Sequence, residues 1–254
     1  MKIKIFNRGF HYSQDGRGNR LVIHMQGCNL RCPWCTNPEG FEMDGVVMRK
    51  QRNRPPRLSC EEWEMQDLVS LCRESSALFF DGGGVTFTGG EPTMQADALE
   101  EALVALRGMG IHTAVETNGT SAALPDLFPL IDQLIMDCKT ADPNKHQRFL
   151  GHGGEVLVEN IRLALENHPD LLVRIPLVCG FNTSGEDMEG FLSVIGEGPK
   201  PHARFEFLAY HEFGREKWQQ CGLAYTQGEA YVPDETLRLF AETFRSRHLQ
   251  VVQT

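Results

Sequence analysis

Gly27-Cys28-Asn29-Leu30-Arg31-Cys32-Pro33-Trp34-Cys35 follows directly on the apolar stretch from Leu21 to Met25. The CxxxCxxC spacing places three thiolates on one short loop, and a four-iron cluster fully held by protein takes four. One iron is then left open, and an open iron is a place to bind and reduce something. Zinc sites and thiol redox sites also use closely spaced cysteines, so the spacing alone keeps those readings in play. Three motifs downstream narrow the choice: Thr88-Gly89-Gly90-Glu91-Pro92, Glu116-Thr117-Asn118-Gly119 and Asp137-Cys138-Lys139.

Apolar, β-branched runs recur at residues 21–25, 85–88, 112–115, 134–136, 172–178 and 204–209. Between them the apolar residues repeat at three-to-four spacing, as helices require: Leu99, Leu103 and Leu106 share one face, and so do Leu157, Ile161 and Ala164 or Leu165. A last helix carries Leu237, Phe240, Ala241 and Phe244 on one stripe. Alternating strand and helix predicts parallel strands joined by right-handed crossovers. Six repeats rather than eight favour an α/β fold built as an incomplete parallel (β/α)6 barrel. The polar motifs fall at the carboxyl ends of the predicted strands, where barrel enzymes keep their chemistry.

A chain of 254 residues with 41% hydrophobic residues suits one domain with a full core. Residues 1–254 are read as that domain, with an N-terminal extension over 1–19 and a basic insert over 41–58. No apolar run is long enough to span a bilayer, and Met1-Lys2-Ile3-Lys4-Ile5 lacks the long apolar segment of a signal peptide. A cytoplasmic protein with no membrane partner is expected, and its cysteines read as reduced thiols and metal ligands. Cys60, Cys72, Cys138, Cys179 and Cys221 are scattered, and each reads as a small buried hydrophobe. Arg49, Lys50, Arg52, Arg54 and Arg57 stand without an acid among them; removing them from the net charge of −9 leaves −14 on the rest. That balance argues against a nucleic-acid partner; the basic segment itself reads as a dock for an acidic surface or, with Pro55 and Pro56 breaking regular structure, as a solvated loop.

Together these residues resemble the radical S-adenosylmethionine enzymes, and among them the glycyl radical enzyme activating enzymes of the pyruvate formate-lyase type. The resemblance rests on Asp15-Gly16-Arg17-Gly18-Asn19-Arg20, the cysteine triplet with Asn37 and Pro38, Gly82-Gly83-Gly84-Val85-Thr86, the Gly-Gly-Glu run, and Tyr210-His211-Glu212-Phe213-Gly214. It implies the incomplete barrel. It also implies a catalytic [4Fe-4S] cluster on Cys28, Cys32 and Cys35, whose open iron is chelated by S-adenosyl-L-methionine. Reductive cleavage of that cofactor gives the radical which takes a hydrogen atom from a backbone glycine of a partner glycyl radical enzyme, in anaerobic metabolism.

The resemblance also assigns roles around the cluster. Trp34 stands where the family often carries an aromatic near the adenine, and the backbone of Thr36 lies against the same nucleoside. Gly90 goes beside the methionine amino group, with Glu91 bracing that loop or meeting the ammonium. Asp137 fits a ribose hydroxyl and Lys139 the cofactor carboxylate. Cys138, between them, is counted with the cofactor residues, and His211 matches a late histidine near the cofactor. Glu116, Thr117 and Asp137, with the Ile135 carbonyl, match a monovalent cation site, although Glu116 stands where the family commonly shows aspartate. Asp15 and Arg174 are candidate contacts for the partner at the barrel rim, Arg174 alternatively for the cofactor carboxylate, an ion pair being the plainer reading of Arg174. Between the triplet and Gly-Gly-Glu only Cys60 and Cys72 occur, too few for another four-cysteine cluster. One cluster is expected, fed by an external donor such as flavodoxin or ferredoxin. A radical enzyme acting on a small molecule or peptide is the alternative, and a zinc or thiol-redox scaffold is a third.

Overall fold

Parallel pairing follows from the alternation in the sequence. The structure is a computed structural model that describes residues 1–49 and 55–253. Its strands are β1 (Lys2–Tyr12), β2 (Asn19–Met25), β3 (Val47–Met48), β4 (Arg57–Leu58), β5 (Glu61–Glu64), β6 (Val85–Gly89), β7 (Thr113–Thr117), β8 (Gln133–Asp137), β9 (Leu171–Leu177), β10 (Ala203–Ala209) and β11 (Gln250–Val252). Its helices are α1 (Met65–Glu74), α2 (Ala96–Gly108), α3 (Leu124–Leu127), α4 (Pro143–Leu150), α5 (Glu155–Asn167), α6 (Gly185–Ile195), α7 (Arg215–Gln220) and α8 (Asp234–Ser246). Strands β2, β6, β7, β8, β9 and β10 lie side by side and parallel, the six runs of the sequence. They form the incomplete (β/α)6 barrel, to which β11 adds a short parallel strand beyond β10.

Successive residues of each strand face opposite sides. Leu21, Ile23 and Met25 on β2, Val85 and Phe87 on β6, and Val173 and Ile175 on β9 pack into the main core under the helices. That core takes Leu99, Leu103 and Leu106 from α2, and Phe240 and Phe244 from α8. The alternate residues face the barrel interior, where Arg20, His24, Thr86, Thr88, Glu116, Arg174 and Glu206 stand among apolar Val22, Ile135 and Leu172. Helix ends follow their caps. The Asp142 side chain accepts from the backbone of Asn144 and Lys145 to start α4, and Ser184 with Asp187 forms a capping box at α6.

The N-terminal residues differ from the expected extension. Lys2-Ile3-Lys4-Ile5 alternates as a strand does, and β1 pairs antiparallel with β2 on one side and with β5 on the other. The turn from Ser13 to Gly18 then folds under the barrel. The Arg17 backbone N–H donates to Gln133 Oε1 (3.0 Å), and Thr86 Oγ1 donates to the Asp15 carbonyl (2.7 Å). Gly16 sits there at φ +117°, and a Cβ on it would lie 2.9 Å from Gln133 Oε1. Below the turn the fully buried Arg20 donates to the Val85 carbonyl and to Thr86 Oγ1, both at 2.7 Å. Burial lowers its pKa to about 10, leaving it charged at neutral pH. Of the basic segment, Lys50, Arg52 and Arg54 lie outside the described residues, while Arg57 pairs with Met48 in the β3–β4 ribbon.

Candidate active site

The cysteine loop leaves the end of β2 and is tied down on every side. The Cys28 backbone N–H donates to the Phe41 carbonyl (3.1 Å), that of Arg31 to Leu150 (2.9 Å), and that of Glu91 to Gly27 (2.7 Å). From outside, Trp218 Nε1 on α7 donates to the Cys35 carbonyl (2.8 Å) and Lys217 Nζ to Asn37 Oδ1 (2.7 Å). A second apolar cluster, with Leu30, Val178, Phe181 and Tyr210, surrounds the loop. The three thiols open onto one cavity of about 460 Å³ at the carboxyl ends of the strands.

The donor set fits an iron–sulfur cluster. Backbone N–H groups already point at two of the sulfurs, from Leu30 to Cys28 (3.4 Å) and from Asn37 to Cys35 (3.3 Å), as such clusters require for tuning. Burial pushes the Cys28 thiol up to about 12 and raises Cys32 and Cys35 as well. Reactive redox thiols have lowered pKa values, so these are no thiolate nucleophiles by themselves; a coordinated metal deprotonates a thiol outright. Among the described residues no three ligating side chains converge as a single ion would need.

Trp34, Thr36, Gly90, Thr117, Asp137, Lys139 and His211 face the same cavity. Trp34 is held against Phe181, ring centroids 4.8 Å apart, and His211 stacks on Phe213 at 4.2 Å. Lys139 Nζ lies 2.8 Å from Asp137 Oδ2. Burial works against the Lys139 charge, but Asp137 and the cysteines outweigh it and raise its pKa above the ordinary value. Gly90 is needed for packing: a Cβ would lie 2.2 Å from the Gly27 carbonyl oxygen, so Gly-Gly-Glu and the cysteine loop touch backbone to backbone.

Three expected site residues lie elsewhere. Glu91 is 1% exposed and does not line the cavity. Its Oε1 accepts from Thr93 N (3.0 Å), Thr93 Oγ1 (2.6 Å) and Thr117 Oγ1 (2.7 Å), and its Oε2 from Asn118 N (2.7 Å). Of its two readings, the geometry is that of the brace. The Cys138 side chain points into the main core, since the residue after Asp137 faces the helices. Arg174 is 5% exposed and is no rim contact. Strand register sets it beside Asp137 on β8 and Glu206 on β10, and a buried charge takes the partners within reach. Its Nε donates to Glu206 Oε2 (2.9 Å), its Nη1 to Glu116 Oε1 (2.6 Å) and its Nη2 to the Gln14 carbonyl. Burial pushes the Glu116 carboxyl up from its ordinary value, with Arg174 pulling the other way.

Asp15 does face the cavity, from the turn beneath the barrel rather than from the rim, with its Oδ2 2.5 Å from His11 Nδ1. Sequence reasoning missed His11, Gln14, Asn118 and Phe213, which also line it. The alternation that marks β1 would have put His11 on the core face with Ile3 and Ile5, and the irregularity between Ile5 and Asn7 turns it to the cavity instead, while Phe213, within the 210–214 motif, is 79% exposed. Among the scattered cysteines Cys72 and Cys138 are buried as expected, whereas Cys179 is exposed, in the turn after β9.

A barrel of this kind with three loop thiols at its mouth defines a class of enzyme. Residues 22–193 match the model of the radical SAM superfamily, and the chain belongs to that superfamily. Activating enzymes are among its curated relatives. It is 29% identical over 262 residues to the pyruvate formate-lyase 2-activating enzyme of Escherichia coli, covering 94% of this chain and 89% of that one. It is 28% identical to the (2S)-3-sulfopropanediol sulfolyase activating enzyme of Bilophila wadsworthia, covering 87% and 89%. A solved domain of a pyruvate-formate lyase-activating enzyme from Bacteroides vulgatus shares the fold, with TM-score 0.55, 23% identity, and 67% of this chain and 98% of that one covered. The family brings a [4Fe-4S] cluster and S-adenosylmethionine.

Proposed function

We propose that this chain is a glycyl radical enzyme activating enzyme, working as one radical SAM domain over residues 1–254. The observation that carries it is the single cavity shared by Cys28, Cys32, Cys35, Lys139, Asp137 and His211 at the ends of parallel strands. When bound, the cluster supplies the electron that cleaves S-adenosylmethionine and so the species that removes a hydrogen atom. The chain's own residues do the placing. Cys28, Cys32 and Cys35 hold three irons and leave the fourth for the cofactor. Lys139, kept charged by Asp137, meets the cofactor carboxylate, and Asp137 is in reach of a ribose hydroxyl. Trp34 and the Thr36 backbone flank the adenine, His211 lies beside the nucleoside, and Asn118 and Gly90 shape the methionine end.

The partner is a glycyl radical enzyme whose glycine loop enters the cavity in extended form, with Asp15 available to its backbone. A large substrate of that kind accounts for a cavity open to solvent with the exposed Phe213 at its edge. An external donor such as flavodoxin or ferredoxin delivers the electron, since Cys60 and Cys72 are too few for a relay cluster. Eight free thiols favour the reducing cytoplasm, and among the described residues no helix is long and apolar enough to cross a membrane.

The test is anaerobic. Reconstituted protein should hold about four irons per chain, and Cys32→Ala should lose both iron and cofactor cleavage. With a glycyl radical enzyme and a reductant added, a doublet paramagnetic signal should appear on the partner and vanish when its glycine is replaced. Full turnover of a small metabolite with no protein partner would overturn the activase reading in favour of a small-molecule radical enzyme.

A further inference from the structure

The oxygen set that the resemblance gives to a monovalent cation does not fit one in this chain, because both Glu116 oxygens, the Thr117 hydroxyl and one oxygen of Asp137 are already engaged. Glu116 Oε1 takes Arg174 Nη1 at 2.6 Å and its Oε2 takes Thr88 Oγ1 at 2.9 Å. Asp137 Oδ2 takes Lys139 Nζ at 2.8 Å. Thr117 Oγ1 donates to Glu91 Oε1 and accepts from the Gly119 backbone N–H at 3.0 Å. We propose that the Arg174 guanidinium replaces the monovalent cation beside the cofactor cavity, so that the site works without an alkali-metal ion.

The arrangement is built into the fold. Arg174 sits in the fourth position of β9, directly across from Asp137 on β8 and Glu206 on β10. Glu206 Oε2 at 2.9 Å and the Gln14 carbonyl hold the other faces of the guanidinium, so it is fixed on three sides by acceptors. A planar fork with donors in several directions can satisfy such a set, where a spherical ion would have to share it. Glu116, the residue that departs from the family's aspartate, has the extra methylene, and its carboxylate meets the guanidinium. An alkali ion added here would face two fixed positive charges, Arg174 and Lys139, with both Glu116 oxygens and Asp137 Oδ2 already paired. Arg174 is thus a positioning residue. It compensates the clustered carboxylates of Glu116, Glu206 and Asp137, and through Gln14 it ties the turn beneath the barrel to the wall of the cavity.

The consequence for cofactor affinity rests on the reading that this cavity binds S-adenosylmethionine; the placement of Arg174 does not. Two measurements on the reconstituted protein keep them apart: the thermal midpoint without cofactor, and the S-adenosylmethionine dissociation constant. Each is taken in potassium, sodium and tetramethylammonium chloride at equal ionic strength. The midpoint should be the same in all three salts and the affinity should change by less than about twofold, since a single site with no differential binding cannot shift either equilibrium. A saturable rise in midpoint, or a tightening of about tenfold, with potassium or sodium over tetramethylammonium would overturn the proposal. Arg174→Met vacates the site, and its midpoint should become saturably responsive to potassium, while Arg174→Lys should not. A folded Arg174→Met variant indifferent to every cation would count against the proposal, and if that variant does not fold the wild-type salt series decides. Failure to bind S-adenosylmethionine in any salt would remove the cofactor reading, and the midpoint series would still decide the role of Arg174.

Discussion

Replacing Glu91 by glutamine tests whether this residue holds the site together or touches the cofactor. The carboxylate is buried and accepts four hydrogen bonds, three at Oε1 and one at Oε2. Glutamine has nearly the same volume but only one acceptor oxygen. With that oxygen in the Oε1 position, the amide NH2 faces the Asn118 N–H, donor against donor, and this buried N–H loses its partner at a cost of about 1 to 3 kcal/mol. The three remaining bonds lose their charge assistance, each about 1 kcal/mol weaker, offset by no longer burying a charge. The net loss is about 3 kcal/mol, which in a chain of this length lowers the thermal midpoint by about 6 to 12 °C. Differential scanning calorimetry under anaerobic conditions reads the midpoint, and a cofactor titration followed by paramagnetic resonance reads affinity. A midpoint within about 1 °C of wild type, combined with weaker cofactor binding, would refute the brace and put the carboxylate on the cofactor ammonium.

Lys139→Ala should weaken S-adenosylmethionine binding by about 1.5 to 3 kcal/mol, the range for a hydrogen bond to a charged group, with iron content unchanged; unaltered affinity in the same titration would move Lys139 out of the site. His24 supplies a pH dependence. Burial drives its pKa down to about 4, and no partner meets its buried Nδ1. The unfolded chain therefore binds the extra proton at higher pH than the folded one, so this stability is fully present above about pH 6.5 and is lost progressively as pH falls toward 4. The full span is worth about 3 kcal/mol, and His24→Phe, beside Phe6, should flatten that part of a pH series of unfolding midpoints.

The sequence by itself determined the six parallel strands, because their runs and the three-to-four helical stripes between them carry opposite periodicities. It also determined the cluster loop, because a ligand triad confined to eight residues needs no distant chain to assemble it. The strand-end placement of Gly90, Thr117, Asp137, Lys139 and His211 followed from the same alternation. What needed the tertiary structure were the residues whose partners are far away in the chain. Glu91 reads in sequence either as a brace of its loop or as an ammonium contact, and Thr117 and Asn118, arriving from the end of β7, make it the brace. Arg174 reads as a rim charge until β8 and β10 set Asp137 and Glu206 on either side of it and β7 brings Glu116 against it. The 1–19 segment reads as an appendage until β1 finds β2 and β5, and Asp15 reaches the cavity only because the turn after β1 folds under the barrel. A hydrogen-bonding group carries its chemistry in the sequence, but which of its possible partners it meets is fixed by strand register, and register is a property of the assembled sheet.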